Sequence, residues 1–101
     1  MRVFISQPMK NKTNEEILSE REKAIGYIKE NLRDGDKVEI VDSFFQDAPH
    51  DAKPLWFLGK SLELLSTADM VYFCEDWEKA RGCRIEHECA EEYGIPIISL
   101  W

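Results

Sequence analysis

The chain has 101 residues, enough to bury the core of one domain but too few for two. Its 20 acidic and 13 basic residues give a net charge of -7, and no stripe of Lys and Arg is present. This balance excludes a surface for nucleic-acid polymers, which requires many phosphates to be neutralised. A free nucleotide stays compatible with it, because backbone N–H groups at a helix start hold a phosphate without net positive charge.

The three cysteines, Cys74, Cys83 and Cys89, are an odd number without the spacing of a disulfide framework. We therefore predict a reduced, cytoplasmic protein, with no signal peptide and no segment that crosses a membrane. Cys83 and His87 are four residues apart and would meet on one helix face, a spacing that metal sites use. Cys74 and Cys89 are better explained as small core residues, and we predict no metal and no cofactor.

The first half of the chain alternates short apolar runs with helical spacing, which is typical of βαβ units and a parallel sheet. Residues 2–6, RVFIS, predict the first strand. Thr13 and Glu16 form a capping box that opens the first helix. The apolar positions of this helix are Ile17, Leu18, Ile25, Ile28 and Leu32. The Asp-Gly-Asp turn at residues 34–36 closes it, and residues 37–41 predict the second strand.

The loop at residues 43–53 is long and rich in polar and aromatic residues, and we expect it to cover a substrate. Pro54 suits the first turn of a second helix. Leucines then recur every three or four residues and predict a face packed on the sheet, namely Leu55, Leu58, Leu62 and Leu65.

The last third of the chain repeats the strand and helix pattern. Residues 69–73 predict the third strand, residues 81–93 the third helix and residues 95–100 the fourth strand. Gly94 ends that helix at the C′ position, with Pro96 two residues beyond. Right-handed crossovers then predict one three-layer α/β/α, Rossmann-like domain over residues 1–101, with a mainly parallel sheet of four or five strands.

The carboxyl ends of the first and third strands bring residues 6–9 and 75–82 to a shared crevice, where open parallel sheets bind ligands. Glu86 follows Gly82 by four residues and lies beside this crevice in the first turns of the third helix. A solvated helix residue that complements the helix dipole is the commoner fate of such a Glu. If the crevice position prevails, Glu86 is a candidate catalytic carboxylate.

An ionised Glu near a helix start is expected to have a lowered pKa, which suits a nucleophile better than a general acid. Attack of a carboxylate on an anomeric carbon is an established use of such a group, as in retaining glycoside hydrolysis. That reaction needs a second acid for the leaving group. Asp76 and Glu75, in the loop before the helix, are the candidates.

Four segments carry a resemblance to a known family: SQPM at residues 6–9, Ala68-Asp69, DWEKARGCRIE at residues 76–86 and AEEYGIP at residues 90–96. In this order and spacing they resemble the compact members of the nucleoside 2-deoxyribosyltransferase-like family over nearly the whole chain. The resemblance implies a Rossmann-like fold and cleavage of the N-glycosidic bond of 2-deoxynucleosides or their 5′-monophosphates. It also implies that Glu86 attacks C1′ and forms a covalent deoxyribosyl intermediate.

Three positions depart from the family pattern. Ala80 stands where the family has an Asp or Ser that meets the sugar or phosphate, and Gln7 replaces a glycine that lets a phosphate approach. Ser61 stands where active members have an Asp that assists the departing base, and a hydroxyl cannot protonate a base at neutral pH. A non-catalytic protein that binds a nucleotide or nucleotide-derived signal in the same crevice is therefore the second hypothesis.

The remaining site predictions concern binding and assembly. Ser6 is expected to offer its hydroxyl or N–H to a phosphate or sugar, and the expected partner is a small nucleoside or nucleotide. Trp77 either stacks on a base or packs under its loop or at a subunit interface. Trp56, Phe57 and Trp101 exceed what a small domain hides, which predicts a homodimer or higher homo-oligomer; a purely structural, oligomerising domain is the third hypothesis. The other crevice residues expected to line the binding site are Pro8, Met9 and Gly82.

Overall fold

A computed structural model describes residues 1–32, 37–45 and 48–98 of the chain. The strands are β1 (Arg2–Ser6), β2 (Glu39–Ile40), β3 (Met70–Phe73) and β4 (Ile97–Ile98). The helices are α1 (Asn14–Asn31), α2 (Pro54–Leu65) and α3 (Arg81–Glu92), with a short 3-10 helix at Trp77–Lys79 before α3. The four strands are all parallel and lie in the order β2-β1-β3-β4, so the predicted α/β class with a four-stranded parallel sheet is confirmed.

The sheet separates two buried apolar clusters because successive side chains of a strand point to opposite faces. Val3 and Ile5 of β1 pack with Ala24 and Ile28 of α1 on one face. The other face carries Phe4, Val41, Leu65, Val71, Phe73 and Ala90, so it packs against α2 and α3. The result is the predicted three-layer arrangement, with one helix on one side of the sheet and two on the other.

The start of α1 follows the predicted capping box. The Thr13 hydroxyl accepts a bond from the Glu16 N–H at 3.1 Å, and the Glu16 carboxylate accepts from the Thr13 N–H at 3.2 Å. Leu18 was expected on the apolar face but is exposed, because Arg21 and Ala24 continue the buried stripe of the helix instead. The turn predicted at residues 34–36 lies outside the described residues.

Helix α2 agrees with its predicted face in its second half alone. Leu65 is buried and Leu62 packs against the cluster beneath α2 and α3. Leu55 was expected on the same face, yet 77% of it is exposed. The expectation is wrong for Leu55 because the first turn of α2 lies beyond the part of the helix that packs on the core.

β1 has the predicted bounds, whereas the other three strands are shorter than predicted, since each is limited to the residues that pair with a neighbouring strand. β2 covers Glu39–Ile40 of the predicted residues 37–41, and β3 begins one residue late. β4 covers Ile97–Ile98, and the rest of its predicted range at residues 99–100 is outside the described part of the chain. The end of α3 is as predicted: Gly94 has φ +71°, and the Ile95 N–H donates to the Ala90 carbonyl at 2.9 Å.

Candidate functional site

Glu86 is buried rather than solvated. Only 6% of the residue is exposed, and the Ser6 hydroxyl donates to Glu86 Oε1 at 2.7 Å. Along α3 the buried positions are Cys83, Glu86 and Ala90, so Glu86 interrupts an otherwise apolar stripe. A carboxylate in such a place is costly unless it is paired or hydrogen-bonded. Its position therefore calls for a reason other than stability.

Burial raises the pKa of Glu86 to about 7, and the hydroxyls of Ser6 and Ser61 oppose this rise. The expectation of a lowered pKa is wrong in direction. Glu86 is the sixth residue of α3, beyond the first turn whose free N–H groups stabilise a negative charge, so desolvation dominates. Near neutral pH this carboxyl is present in both ionisation states.

The contacts of Glu86 come from three elements. Ser6 is the last residue of β1, and its side chain is almost fully buried. Ser61, on α2, interacts with the same carboxyl less strongly than Ser6 does. Cys83, one turn earlier on α3, interacts with the Ser6 hydroxyl, and burial raises the pKa of its thiol to about 11. Cys83 is thus a neutral neighbour of the site.

Glu86 and Ser6 lie at the point between β1 and β3 from which the strand order runs toward opposite edges of the sheet. From β1 the chain passes through α1 on one face to β2, and from β3 it passes through α3 on the opposite face to β4. The position between β1 and β3 is therefore a topological switch point. Open α/β sheets in general bind ligands in a crevice at such a point, and the sequence predicted the site at this position.

An aromatic group adjoins Glu86 on α3. The ring of His87 stacks on Trp77 with centroids 4.1 Å apart and 7° between the planes, and Phe73 contacts both rings. His87 Nδ1 lies 2.8 Å from Glu91 Oε1. One face of Trp77 is thus covered by His87, and Trp77 packs against the apolar cluster of α2 and α3.

Among the hydrogen bonds and ion pairs of the described residues, none joins Asp76 to Glu86. Asp76 is exposed, adopts φ +66° at the start of the 3-10 helix, and pairs with Lys79 at 3.3 Å. Asp76 lines a cavity of about 750 Å³ together with Glu75, Tyr27 and Tyr72. This cavity is on the α1 side of the sheet, whereas Glu86 belongs to the side of α2 and α3. Its volume is in the range of small-molecule sites.

The other residues predicted for the site lie around the crevice in different environments. Gln7 is buried, and its amide N–H₂ donates to the Ile17 carbonyl at 2.6 Å while its carbonyl oxygen has no partner among the described residues. Ala80 precedes α3 and is half-buried. Gly82, in the first turn of α3, faces open space, because a Cβ there would meet no atom within 4 Å. Pro8 and Met9 are half-buried in the loop after β1.

A buried cation near the carboxyl ends of β1 and β2 was missed by the sequence interpretation. Arg21 of α1 donates to the Val41 carbonyl at 2.7 Å and to the Ser43 hydroxyl at 3.2 Å, and Ser43 donates to the Ile5 carbonyl. Burial lowers the pKa of the Arg21 guanidinium. A signal was present, since Arg21 falls between Ile17 and Ala24 on the apolar stripe. The arrangement ties α1 and the loop after β2 to the sheet.

The described residues show no sign of a metal site, a disulfide or a membrane-spanning helix. No group of three or more metal-ligating side chains is present there, and the three cysteines are free. Helices of the length and hydropathy needed to span a bilayer are also absent from that part of the chain.

A parallel sheet in this order, with helices on both faces, defines a Rossmann-like α/β domain. The chain belongs to the family described as a domain of unknown function, DUF4406, whose model matches residues 1–99. No curated protein and no solved structure matches the chain. The family description names no reaction, so the chemistry of the site rests on its residues.

Proposed function

We propose that the protein cleaves the N-glycosidic bond of a nucleoside or a nucleoside 5′-monophosphate, with Glu86 as the nucleophile. The observation that carries the proposal is the Glu86 carboxyl itself, which is buried at the carboxyl end of β1 and accepts a hydrogen bond from the Ser6 hydroxyl. A buried carboxyl without a cationic partner serves stability poorly. Attack on an electron-poor carbon is a reaction that suits it.

In the proposed reaction a carboxylate oxygen of Glu86 bonds to C1′ while the bond between C1′ and the base nitrogen breaks. The electron pair of that bond leaves with the base, which then takes a proton from solvent water. The transition state carries positive charge on the sugar, and the adjacent carboxylate stabilises it. Water or a second base attacks C1′ of the resulting ester and releases Glu86, so that the protein acts as a hydrolase or a transferase.

The energetics of burial favour the first step. A desolvated carboxylate is unfavourable in the free protein, which is why the pKa of Glu86 is raised to about 7. Bond formation to C1′ removes this buried charge. Formation of the ester therefore recovers the free energy that desolvation of the ionised Glu86 carboxylate costs.

A second function, binding of a nucleotide or nucleotide-derived signal without chemistry, is favoured by one specific observation. The polar groups next to Glu86 are the hydroxyls of Ser6 and Ser61, neither of which can protonate a departing base. Asp76, the candidate acid, is paired with Lys79. Under this hypothesis the crevice binds the ligand and leaves it intact.

The two functions are separated by incubating the protein with 2′-deoxynucleosides and their 5′-monophosphates and measuring free base by chromatography. We expect free base from at least one member of the panel. A ligand that raises the melting temperature while no base appears from any member would favour the binding protein. Neither base release nor a thermal shift with any member would contradict both functions.

Gly82→Ala tests in the same assay whether the ligand approaches the start of α3. Ala in a helix is more stable than Gly by roughly 0.5–1 kcal/mol, and nothing in the protein blocks the added methyl group. We therefore expect Gly82→Ala to be at least as stable as the wild type but slower in base release. Gly26→Ala is the matched control, because Gly26 also faces open space on a helix but lies on α1, and it should keep the wild-type rate.

We also infer that the protein self-associates through α2. Leu55 and Phe57 are exposed on this helix, and Trp56 contacts Phe45 and Phe57 at the same surface. Exposed apolar side chains in one patch are typical of an interface. Trp101, the third residue behind this prediction, lies outside the described residues. Sedimentation should give a mass above the 11.8 kDa of one chain, and a strictly monomeric protein would contradict the inference.

A further inference from the structure

The hydroxyl of Ser6 already makes a hydrogen bond within the protein. Ser6 is 1% exposed, and its single hydroxyl proton is donated to Glu86 Oε1 at 2.7 Å. A hydrogen bond of this length to a charged oxygen is among the stronger ones in proteins. The Ser6 side chain therefore has no free proton for a sugar or a phosphate, the role that the sequence suggested for it.

Ser61 approaches the same carboxyl from another element. It lies on α2, and its hydroxyl adds to the effect of Ser6 on Glu86. β1, α2 and α3 thus each contribute one side chain to a small polar cluster, defined as Ser6, Ser61 and Glu86. Ser6 was expected to contact a phosphate or sugar, and Ser61 stands where the resemblance implies an Asp that assists the departing base.

We propose that Ser6 is a positioning residue: its hydroxyl orients the Glu86 carboxylate instead of contacting the substrate. A carboxyl group rotates about its last side-chain bond unless something holds it. The bond from Ser6 to Oε1 therefore restricts this rotation and holds the carboxyl plane in one orientation. The inference rests on the proposed function for its catalytic meaning alone.

Among the neighbouring side chains, Ser6 and Ser61 carry the hydroxyls that oppose the effect of burial on the pKa of Glu86. Cys83, which interacts with Ser6 and Glu86, is a neutral thiol at physiological pH because burial raises its pKa to about 11. The His87 ring is turned toward Trp77 and Glu91. Glu86 has no ion pair with any other described residue.

The test measures the pKa of Glu86 directly by carbon NMR of its side-chain carboxyl, assigned by the loss of that signal in Glu86→Gln. We expect Ser6→Ala to raise the pKa of Glu86 by about 1 to 2 units, because a hydrogen bond to the charged form is lost. Ser61→Ala should raise it by less, and Ser61→Thr, which keeps a hydroxyl, should restore the wild-type value.

Ser19→Ala is the control, since Ser19 is exposed on α1. A pKa of Glu86 that is unchanged or lower in Ser6→Ala would overturn the proposal. If Ser6→Ala does not fold, Ser61→Ala decides in the same way, because Ser61 is half-buried on a helix that tolerates Ala.

A kinetic measurement separates positioning from substrate contact. In Ser6→Ala the acidic limb of the pH–rate profile should shift to higher pH together with the pKa of Glu86, and KM should be unchanged. A rise in KM without movement of the limb would instead mean that Ser6 contacts the substrate, and would overturn the proposal. The NMR result does not depend on turnover, so a failure of the proposed function is distinguishable from a failure of this inference.

Discussion

Replacing Glu86 by Gln is expected to lower the rate of base release at least about 10³-fold, as removal of a covalent nucleophile does in other enzymes. The amide has nearly the same shape as the carboxyl, and its oxygen can still accept the bond from Ser6. It cannot form the ester with C1′, so the chemical step is lost while the fold is kept. Release of free base, followed by chromatography, measures the change.

Glu88→Gln is the matched control, because Glu88 lies on the same helix but is exposed. Its rate should equal that of the wild type. In the wild-type protein the rate should also rise with pH through about 7, since only the ionised Glu86 is a nucleophile. If Glu86→Gln turned over as fast as Glu88→Gln, Glu86 would not be the nucleophile.

The second large effect concerns the free energy of unfolding. Glu86 has a pKa of about 7 in the folded protein against 4.5 as its ordinary value, so the folded state binds the proton more tightly than the unfolded state. Stability contributed by protonated Glu86 is therefore fully present below about pH 4.5 and is lost as pH rises through about 7. The loss amounts to about 3 kcal/mol, because each pKa unit corresponds to about 1.4 kcal/mol.

Glu86→Gln carries a neutral group at every pH and should lack this loss. Urea unfolding of both proteins between pH 4 and pH 8 measures the difference between their free energies of unfolding. The titration of all other groups cancels in this difference. We expect similar stabilities near pH 4 and a more stable variant at pH 8. A difference between the two proteins that stays constant with pH would show that Glu86 titrates normally in the folded state.

The order and type of the elements were predictable because local signals agree with the fold. The capping box at Thr13 and the C′ glycine at Gly94 are complete within a few residues, and the structure has both. The ends of the strands were less predictable, because they depend on pairing with a partner strand. Leu55 shows the same limit in a helix: its spacing predicts a buried face, but whether that face meets the core depends on how far α2 extends past it.

The adjacency of β1 and β3 was predictable from topology, whereas the environment of Glu86 was not. Its position on α3 followed from the spacing of nearby residues, but its burial depends on Ser6 and α2, which are distant in sequence. The stripe formed by Cys83 and Ala90 was a usable signal, since a Glu at the matching position of that stripe must face inward. The stack of Trp77 on His87 and the left-handed turn at Asp76 have no comparable local signal.

The order of the strands has a consequence for synthesis on the ribosome. β1 pairs at the centre of the sheet with β3 as well as β2, and the bond from Ser6 reaches a residue 80 positions further along the chain. A nascent chain whose α3 segment is still inside the ribosome can form α1 and the pairing of β1 with β2, but its Ser6 cannot yet meet Glu86. Long-range contacts of this kind form late, since the loop between them must close first. Formation of the Ser6–Glu86 bond during translation therefore marks the packing of β3 and α3 against β1.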